Sequence, residues 1–275
     1  MAPVRKEALM DPPGSQFDTL SVSRVFEVDI HRVSLQQAAD FVVEKAGAGG
    51  EPATVVTPNL QHVSLLRSTP ALRHAYERAD LVVADGVPLV WASRWFGTAL
   101  PGRVNGTDLV EAVCVHPDIA RYRVGFLGGK EGYAEKAAEA LRKKNPSLQV
   151  ACCICPPYGF ERDAELSDQM EKQVLAAAPD VLFVALGAPK QEIWMQRKGR
   201  ALGIPVSLGI GGSFEIIGGG LDRAPRWMQR VGLEWLHRLL SEPGRLWRRY
   251  LRCFVVFIQL CAKEVWRKIK TRRAG

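Results

Sequence analysis

The segment Val181-Leu-Phe-Val-Ala-Leu-Gly187-Ala-Pro189-Lys-Gln191-Glu192 joins a continuous apolar run to a small polar cluster that leads into a helical pattern. A short apolar run of this kind is consistent with a strand buried on both faces. Pro189 suits the first turn of a helix. The same succession of strand, polar tip and helix recurs along the chain. It predicts βαβ units and an α/β fold with a mainly parallel sheet.

The other strands and helices follow from the same patterns. The predicted strands are Ala53–Thr57, Leu81–Ala84, Arg123–Leu127, Leu148–Ile154, Val181–Leu186 and Pro205–Leu208. The helical patterns between them include Gln61–Tyr76, Tyr133–Lys144, Ala164–Ala177 and Gln191–Leu202. Phe26–Ile30 is a candidate for one more strand near the start of the chain.

Nearly every predicted strand ends in a small, polar or glycine-containing cluster. The clusters are Thr57–Asn59, Asp85–Pro88, Gly128-Gly129, Gly187–Glu192 and Gly209–Gly212. Ligands of open α/β sheets bind outside the carboxyl ends of the strands. Each cluster alone is also compatible with ordinary turn chemistry, but together they indicate a single shared site at one edge of the sheet.

The glycine-rich segment Gly125–Gly132 follows a predicted strand and opens a helix. Glycines at such a turn let backbone N–H groups approach a diphosphate, and the helix N-terminus adds positive potential. The segment lacks the GxGxxG fingerprint, and the next strand, which ends near Cys155, has no acidic residue at its tip. The pattern therefore favours a nucleotide diphosphate over a nicotinamide cofactor. A turn that simply needs glycine is the alternative.

Asp85 stands directly after an apolar strand and before Gly86. A carboxylate in this position suits a general base, although it equally suits the cap of a helix that starts near Val87. Asn59 and His62 lie at a similar junction, where a lone histidine is more often structural than catalytic. The sequence contains no Asp-x-Asp. That motif can hold a divalent metal ion on a diphosphate, so we expect no metal site. Charge on a leaving group would then be stabilised by helix N-termini and by Arg or Lys.

Positive charge is concentrated at the end of the chain. The 275 residues carry a formal charge of +8, yet residues 221–275 carry a net charge of +10 and residues 1–220 a net charge of −2. Arginines alternate with Trp and Tyr in this tail, which suits an anionic interface. The apolar run Cys253–Ile258, extended to Ala262, is far shorter than the roughly 20 residues that span a bilayer. We expect a helix that lies in the membrane plane; packing on the core or on another subunit is the alternative.

Three regions follow from these features. Residues 1–24 contain Pro12, Pro13 and several charges but no continuous apolar segment, so a flexible leader rather than a signal peptide is expected. Residues 25–220 are predicted to form the catalytic domain. Residues 221–275 are predicted to form a basic, amphipathic helical appendage that associates with a membrane. The expected location is the cytoplasm, peripheral on the inner face of the cell membrane.

Six segments, in order, carry a specific resemblance to a known family. They are Thr57–His62, Ala84–Pro88, Arg103–Leu109, Gly187–Glu192, Gly209–Phe214 and Arg223–Trp235. In these segments the chain resembles the WecG/TagA/CpsF glycosyltransferases over roughly residues 25–250. The resemblance implies a Rossmann-like core with helices on both faces of the sheet and a C-terminal appendage that helps to form the site. The family's usual aspartate after the last glycine cluster is Glu215 here, and the apolar run after Arg252 extends beyond the matched part.

The resemblance also implies an activity: inverting, metal-independent transfer of a sugar from a UDP-sugar to a saccharide on a polyprenyl diphosphate, in cell-surface or exopolysaccharide synthesis. Asp85 corresponds to the candidate base. The residues expected to bind substrate are Thr57, Asn59 and Gln191 in the pocket, Gly128, Gly129, Gly211 and Gly212 at the donor nucleotide, and Arg223, Arg226 and Arg230 at the acceptor diphosphate. No cofactor is expected.

Two other functions remain open from the sequence. A non-catalytic, nucleotide-sensing membrane adaptor would have the same fold and tail without turnover. A nucleic-acid-binding protein is suggested by the basic tail, but the apolar run within the tail argues against it, and nucleic acid is not an expected partner. The expected partners are the UDP-sugar, the lipid-linked acceptor and a membrane with anionic lipid, and a homo-oligomer is compatible with the sequence.

Overall fold

The fold centres on a six-stranded parallel sheet. The computed structural model describes residue 17 and residues 20–230 and 232–274. The strands of the large sheet are β3 (Ala53–Val56), β4 (Leu81–Val82), β5 (Arg123–Gly128), β6 (Gln149–Ile154), β7 (Val181–Ala185) and β8 (Val206–Gly209). Their order is β4-β3-β8-β7-β5-β6. All six predicted strands are confirmed, as is the α/β class.

The strand pairing places every polar cluster at one edge. Val55 of β3 lies opposite Leu81 of β4 on one side and Leu208 of β8 on the other. The pairings of β7 with β8 and of β5 with β7 and β6 are parallel as well. Because all six strands run in one direction, their carboxyl ends meet at the same edge of the sheet.

Helices cover both faces of this sheet. The helices are α1 (Leu35–Gly47), α2 (Leu60–Leu66), α3 (Pro70–Glu77), α4 (Val87–Phe96), α5 (Gly106–Cys114), α6 (Tyr133–Lys144), α7 (Ala164–Ala177), α8 (Lys190–Trp194), α9 (Ser213–Ile217), α10 (Arg226–Arg230), α11 (Glu234–Ser241) and α12 (Pro243–Ala274). Short 3₁₀ turns span Pro117–Arg121 and Phe160–Arg162, and a π-helical turn spans Met195–Gly199.

Alternation of side chains along the central strands builds two cores. Phe126 and Phe183 pack on the face covered by α1, α5 and α6. Leu127 and Val184 pack on the opposite face, with residues of α2, α3, α4, α7 and α8. Successive residues of a strand point to opposite faces. Strands covered on both faces are therefore largely apolar. β7 is apolar at every position, while β8 carries the buried Ser207.

Two predicted elements differ from the structure. Phe26–Ile30 was expected to form one strand, but the chain forms an antiparallel hairpin of β1 (Val22–Val25) and β2 (Val28–His31), apart from the main sheet. Phe26 and Glu27 make its turn, with φ of 51° and 71°. Both residues are in the left-handed region that a two-residue hairpin turn requires.

The predicted helix Gln61–Tyr76 is also wrong, because the chain forms α2 and α3 there. Pro70 is at the start of α3 and its backbone nitrogen cannot donate a hydrogen bond. The residue before a proline is also restrained from helical geometry, and Thr69 is extended, with ψ of 92°.

The appendage ends in the long helix α12, which packs against the core with one face. Leu246, Cys253, Val256 and Leu260 of this helix are buried, and Val256 and Leu260 belong to the core on the α2 and α4 side of the sheet. The alternative in which the tail packs on the core therefore holds for the inner face of α12. Among the residues that the structure describes, no helix is long and apolar enough to cross a bilayer.

Candidate active site

Two side chains form hydrogen bonds that connect the ends of neighbouring strands at the carboxyl edge of the sheet. The Thr57 hydroxyl donates to the Gly209 carbonyl at 2.8 Å, which joins the end of β3 to the end of β8. Gln191 is buried, and its Oε1 accepts hydrogen bonds from the Gly187 and Gly211 N–H groups at 3.2 and 3.1 Å. Gln191 thus links the loops that follow β7 and β8. The expected contact of Thr57 and Gln191 with substrate stays a prediction.

The glycines of the site allow close approach of neighbouring strand ends. A Cβ on Gly128 would lie 2.7 Å from the Ala185 carbonyl oxygen, and Gly128 has φ of 94°. The Gly129 N–H donates to that same carbonyl at 2.9 Å. Gly211 has φ of 58°, and Gly212 is the N-cap of α9. Since the Gly129 and Gly211 amides bond within the protein, these glycines shape the turns, and a role at the donor nucleotide stays a prediction.

Asp85 lies where β3 and β4 come together. Its N–H donates to the Pro58 carbonyl at 2.9 Å, and its carboxylate Oδ2 accepts a hydrogen bond from Asn59 Nδ2 at 3.2 Å. Gly86 is the N-cap of α4, and α4 has no side-chain capping bond at its N-terminus. The structure thus gives no capping hydrogen bond for Asp85, whose carboxylate is bonded to Asn59 instead.

The electrostatic surroundings of Asp85 work in opposite directions. Burial raises the pKa of the Asp85 carboxyl above its ordinary value, while the Asn59 hydrogen bond and the nearby side chains of Arg103, Arg238 and His62 act to lower it. Arg103 precedes Val104, whose N–H donates to the Ala84 carbonyl at 2.8 Å. Arg238 belongs to α11 of the appendage. The appendage therefore contributes positive charge to the surroundings of Asp85.

Behind Asp85 lies a buried pair that the sequence did not identify as part of the site. His62 Nε2 is 3.1 Å from Glu192 Oε1, and both side chains are almost fully buried. Glu192 Oε1 also accepts a hydrogen bond from Gln191 Nε2 at 2.8 Å. The only signal in the sequence was that both residues follow predicted strands, in the Thr57–His62 and Gly187–Glu192 clusters.

Salt bridges attach the appendage to the core near Asp85. Arg103 Nη1 is 2.7 Å from Glu234 Oε2 of α11. Arg223 is paired with Asp108 of α5, and Asp108 also bonds the side chain of Asn105. Thus the Arg103–Leu109 segment bonds both ends of the Arg223–Trp235 segment. The sequence did not predict roles for Arg103, Asp108 or Glu234.

The three arginines expected to bind a diphosphate lie in different surroundings. Arg223 is engaged with Asp108, whereas Arg226 is exposed at the start of α10. Arg226 lines an open cleft together with Arg103, Asp108 and Gln229. Arg230 ends α10, and its side chain lies outside the described part of the structure. Within the described residues, no group of three or more His, Cys, Asp or Glu is arranged to hold a metal ion.

Residues 23–271 match the family model described as the glycosyl transferase WecG/TagA/CpsF family. The chain belongs to this family. It is therefore a glycosyltransferase, and the non-catalytic adaptor is set aside. The match extends to residue 271, so the apolar run after Arg252 lies inside the matched part of the chain, whereas the sequence analysis ended the resemblance near residue 250.

Two relatives from known bacteria are similar to this chain over most of its length. A protein from Bacillus spizizenii is 32% identical over 201 residues, which cover 72% of this chain and 75% of the relative. A protein from Staphylococcus aureus is 30% identical over 217 residues, which cover 78% of this chain and 82% of the relative. Both relatives are named N-acetylglucosaminyldiphosphoundecaprenol N-acetyl-beta-D-mannosaminyltransferase.

Proposed function

We propose that this glycosyltransferase moves an N-acetylhexosamine from a UDP-sugar to a saccharide on a polyprenyl diphosphate, with inversion and without a metal ion. The names of the two relatives support an N-acetylhexosamine as the sugar and a polyprenyl-diphosphate-linked acceptor. The product would enter cell-surface or exopolysaccharide synthesis.

The position of Asp85 is the observation that carries this proposal. The carboxylate lies at the carboxyl edge of the sheet, it is held by Asn59, and burial raises its pKa. A base with a raised pKa accepts a proton more readily, provided that it is ionised at the working pH. Asp85 takes the proton from an acceptor hydroxyl, and the hydroxyl oxygen forms a bond to the anomeric carbon. The bond from that carbon to the UDP oxygen breaks, and UDP leaves with the electron pair.

In this mechanism the glycine-rich turns hold the UDP of the donor, and the arginines of the appendage bind the diphosphate of the acceptor. Gly128, Gly129, Gly211 and Gly212 bring the backbone at the ends of β5 and β8 close to the donor, beside the pocket residues Thr57, Asn59 and Gln191. Arg226 stands exposed in the cleft that Arg103 also lines. Positive charge held at this cleft would stabilise the negative charge of a bound diphosphate without the reorganisation that water requires. Arg223, Arg226 and Arg230 would be the contacts of the acceptor diphosphate.

The outer face of α12 supports attachment to a membrane surface. The apolar residues exposed on this helix are Trp247, Leu251, Phe254, Val255, Ile258, Val265, Trp266 and Ile269. Their spacing places them on one side of the helix, opposite the buried Cys253, Val256 and Leu260. The stripe is about 33 Å long at the rise of an α-helix. Arg248, Arg252 and Lys270 are exposed and lie beside it, which fits an interfacial helix on anionic lipid.

A transfer assay tests the proposed function. Purified protein is incubated with a panel of UDP-N-acetylhexosamines, a short-chain polyprenyl-diphosphate-linked N-acetylglucosamine and an excess of chelator. The product is identified by mass spectrometry and its anomeric configuration by NMR. We expect a disaccharide with inverted configuration at an undiminished rate. A rate that falls with chelator and recovers with a divalent cation would disprove metal independence, and the absence of any product would disprove the substrate class.

A further inference from the structure

His62 of α2 and Glu192 of α8 form a pair of ionisable side chains buried behind Asp85. The side chains are 7% and 0% exposed, and His62 Nε2 lies 3.1 Å from Glu192 Oε1. Burying a charged group is costly unless it is paired and hydrogen-bonded. The mechanism above uses neither residue as an acid or a base, so their presence in the core behind the site needs a different explanation.

His62 is connected to the base through Asn59. The second ring nitrogen, His62 Nδ1, is 3.3 Å from the Asn59 backbone nitrogen and 3.0 Å from Asn59 Oδ1. Asn59 Oδ1 accepts a hydrogen bond from the Gln61 N–H at 3.0 Å. That contact needs an acceptor, so it identifies the Asn59 atom beside His62 Nδ1 as the amide oxygen. The Nδ2 group of Asn59 must then face Asp85, to which it donates at 3.2 Å.

The far end of the chain of contacts is anchored to two other strands. Glu192 Oε1 accepts a hydrogen bond from Gln191 Nε2 at 2.8 Å, and Gln191 in turn bonds the Gly187 and Gly211 amides after β7 and β8. Contacts therefore run from the β7 and β8 loops through Glu192, His62 and Asn59 to Asp85.

We infer that His62 and Glu192 are positioning residues, which hold the Asn59 amide and through it aim the Asp85 carboxylate at the acceptor hydroxyl. This inference rests on the proposed role of Asp85 as the base. A displacement of about 1 Å in a reacting group costs on the order of a hundredfold in rate. Loss of the pair should therefore lower turnover while leaving donor binding intact.

The test is a double-mutant cycle between His62→Gln and Asp85→Asn, with turnover measured in single and double variants. In the wild-type background we expect His62→Gln to lower kcat about tenfold to a hundredfold, with the KM for the UDP-sugar nearly unchanged. In the Asp85→Asn background the same change should cost less than about twofold, because residues that act through one group are not additive.

A matched control comes from a second histidine–carboxylate pair. His116 Nε2 lies 3.2 Å from Asp40 Oδ1. Asp40 belongs to α1 and His116 follows α5, away from the carboxyl ends of the strands. His116→Gln should leave kcat and KM unchanged. Thermal melting and UDP titration of every variant distinguish misorientation of the Asp85 carboxylate from loss of structure. If His62→Gln does not fold, the same cycle with Glu192→Gln decides, because its amide keeps the size of the carboxylate.

The outcomes distinguish the two proposals. An equal loss of turnover for His62→Gln in both backgrounds, or no loss at all, overturns the positioning role and leaves Asp85 as the base. Loss of UDP affinity in step with turnover would also overturn it, since the pair would then shape the donor pocket. If Asp85→Asn alone retains most of its turnover, the proposed base is wrong and the positioning role falls with it.

Discussion

At the scale of single residues, the Asp85 carboxylate has one oxygen bonded to Asn59 and is influenced by the side chains of Arg103, Arg238 and His62. Three of these four neighbours belong to the core and one to the appendage. The local sequence Ala84–Pro88 contains none of them. The chemistry of this aspartate is therefore set by residues brought together from distant parts of the chain.

The first prediction concerns the carboxylate itself. Asp85→Asn keeps the size of the side chain but cannot accept a proton at neutral pH, so turnover should fall at least about a hundredfold. UDP affinity and the melting temperature should stay near those of the wild type, since the structure shows no capping bond to lose. Steady-state kinetics, calorimetry with UDP and thermal melting measure the three quantities. An Asn variant that retains most of its turnover would contradict the base assignment.

The second prediction concerns pH. Because the pKa of Asp85 is raised and its ionised form is the base, kcat should fall as pH drops through that raised value, above the range of an ordinary aspartate. Asn59→Ala removes a hydrogen bond that lowers the pKa. The acidic limb of the profile should therefore move to higher pH in this variant.

The control for the pH profile is His116→Gln, which removes an imidazole side chain outside the site. Its acidic limb should coincide with that of the wild type. A limb that moves with His116→Gln, or that moves to lower pH with Asn59→Ala, would show that Asp85 does not govern the profile.

The third prediction separates two arginines of the appendage. Arg226 is exposed in the cleft, whereas Arg223 is bonded to Asp108. Arg226→Ala should raise the KM for the lipid-linked acceptor about tenfold, corresponding to roughly 1.4 kcal/mol, with unchanged melting and UDP affinity. Arg223→Ala should also lower the melting temperature because it leaves Asp108 without this partner. Equal effects of both changes on melting would argue that Arg226 is structural.

At the scale of elements, α12 is apolar on two opposite sides. Its inner side is covered by the core, and its outer side is the stripe from Trp247 to Ile269 described above. Deleting the helix would uncover the core as well as remove the stripe. Substitutions on the outer face are therefore the cleaner test of membrane attachment.

The fourth prediction uses two such substitutions. Phe254→Glu with Ile258→Glu places negative charge on exposed apolar positions, 60% and 51% accessible, where it should weaken binding to vesicles that contain anionic lipid. The matched control is Leu175→Glu on α7, which is 57% exposed on a different helix and should leave binding unchanged. Co-sedimentation with vesicles measures both. Equal sedimentation of the double variant and the wild type would contradict an interfacial role for α12.

At the scale of the whole molecule, the core and the appendage meet through charged residues of two motifs. Arg103 bonds Glu234, and Asp108 bonds Arg223. Arg103 and Glu234 are only 17% and 15% exposed, so their pairing is shielded from solvent more than a surface salt bridge. The Arg103–Glu234 bond anchors α11, whose Arg238 influences the pKa of Asp85.

The fifth prediction tests this attachment. Glu234→Ala should lower both the melting temperature and turnover, because Arg103 loses its partner and α11 its anchor. In a double-mutant cycle with Arg103→Ala, the coupling energy should be about 0.5–3 kcal/mol, as for contacting residues in one network. Chemical denaturation measures it, and Lys144→Ala with Glu111→Ala, an exposed pair, is the comparison. A coupling no larger than that of the exposed pair would show that the appendage is held by other contacts.

The main sheet could be predicted because its strands are short, largely apolar runs, and six such runs stand out in the sequence. The meeting of the polar clusters also followed, since parallel strands place all their carboxyl ends at one edge. The hairpin at Phe26 was missed because an apolar residue in a turn has no distinctive local pattern. The helix break at Thr69-Pro70 could have been predicted, because proline restrains the residue before it.

The amino-acid sequence by itself determined the α/β sheet, the edge at which the site lies, the aspartate at that edge and the basic, apolar character of the tail. These features depend on periodicity and on residues close together in the chain. Only the tertiary structure decided that His62 and Glu192, separated by 130 positions, form one buried pair behind Asp85. It also decided that α12 covers the core with one face and exposes the other. Such contacts depend on how separate elements pack, and no local pattern records the distance between two side chains that meet only after folding.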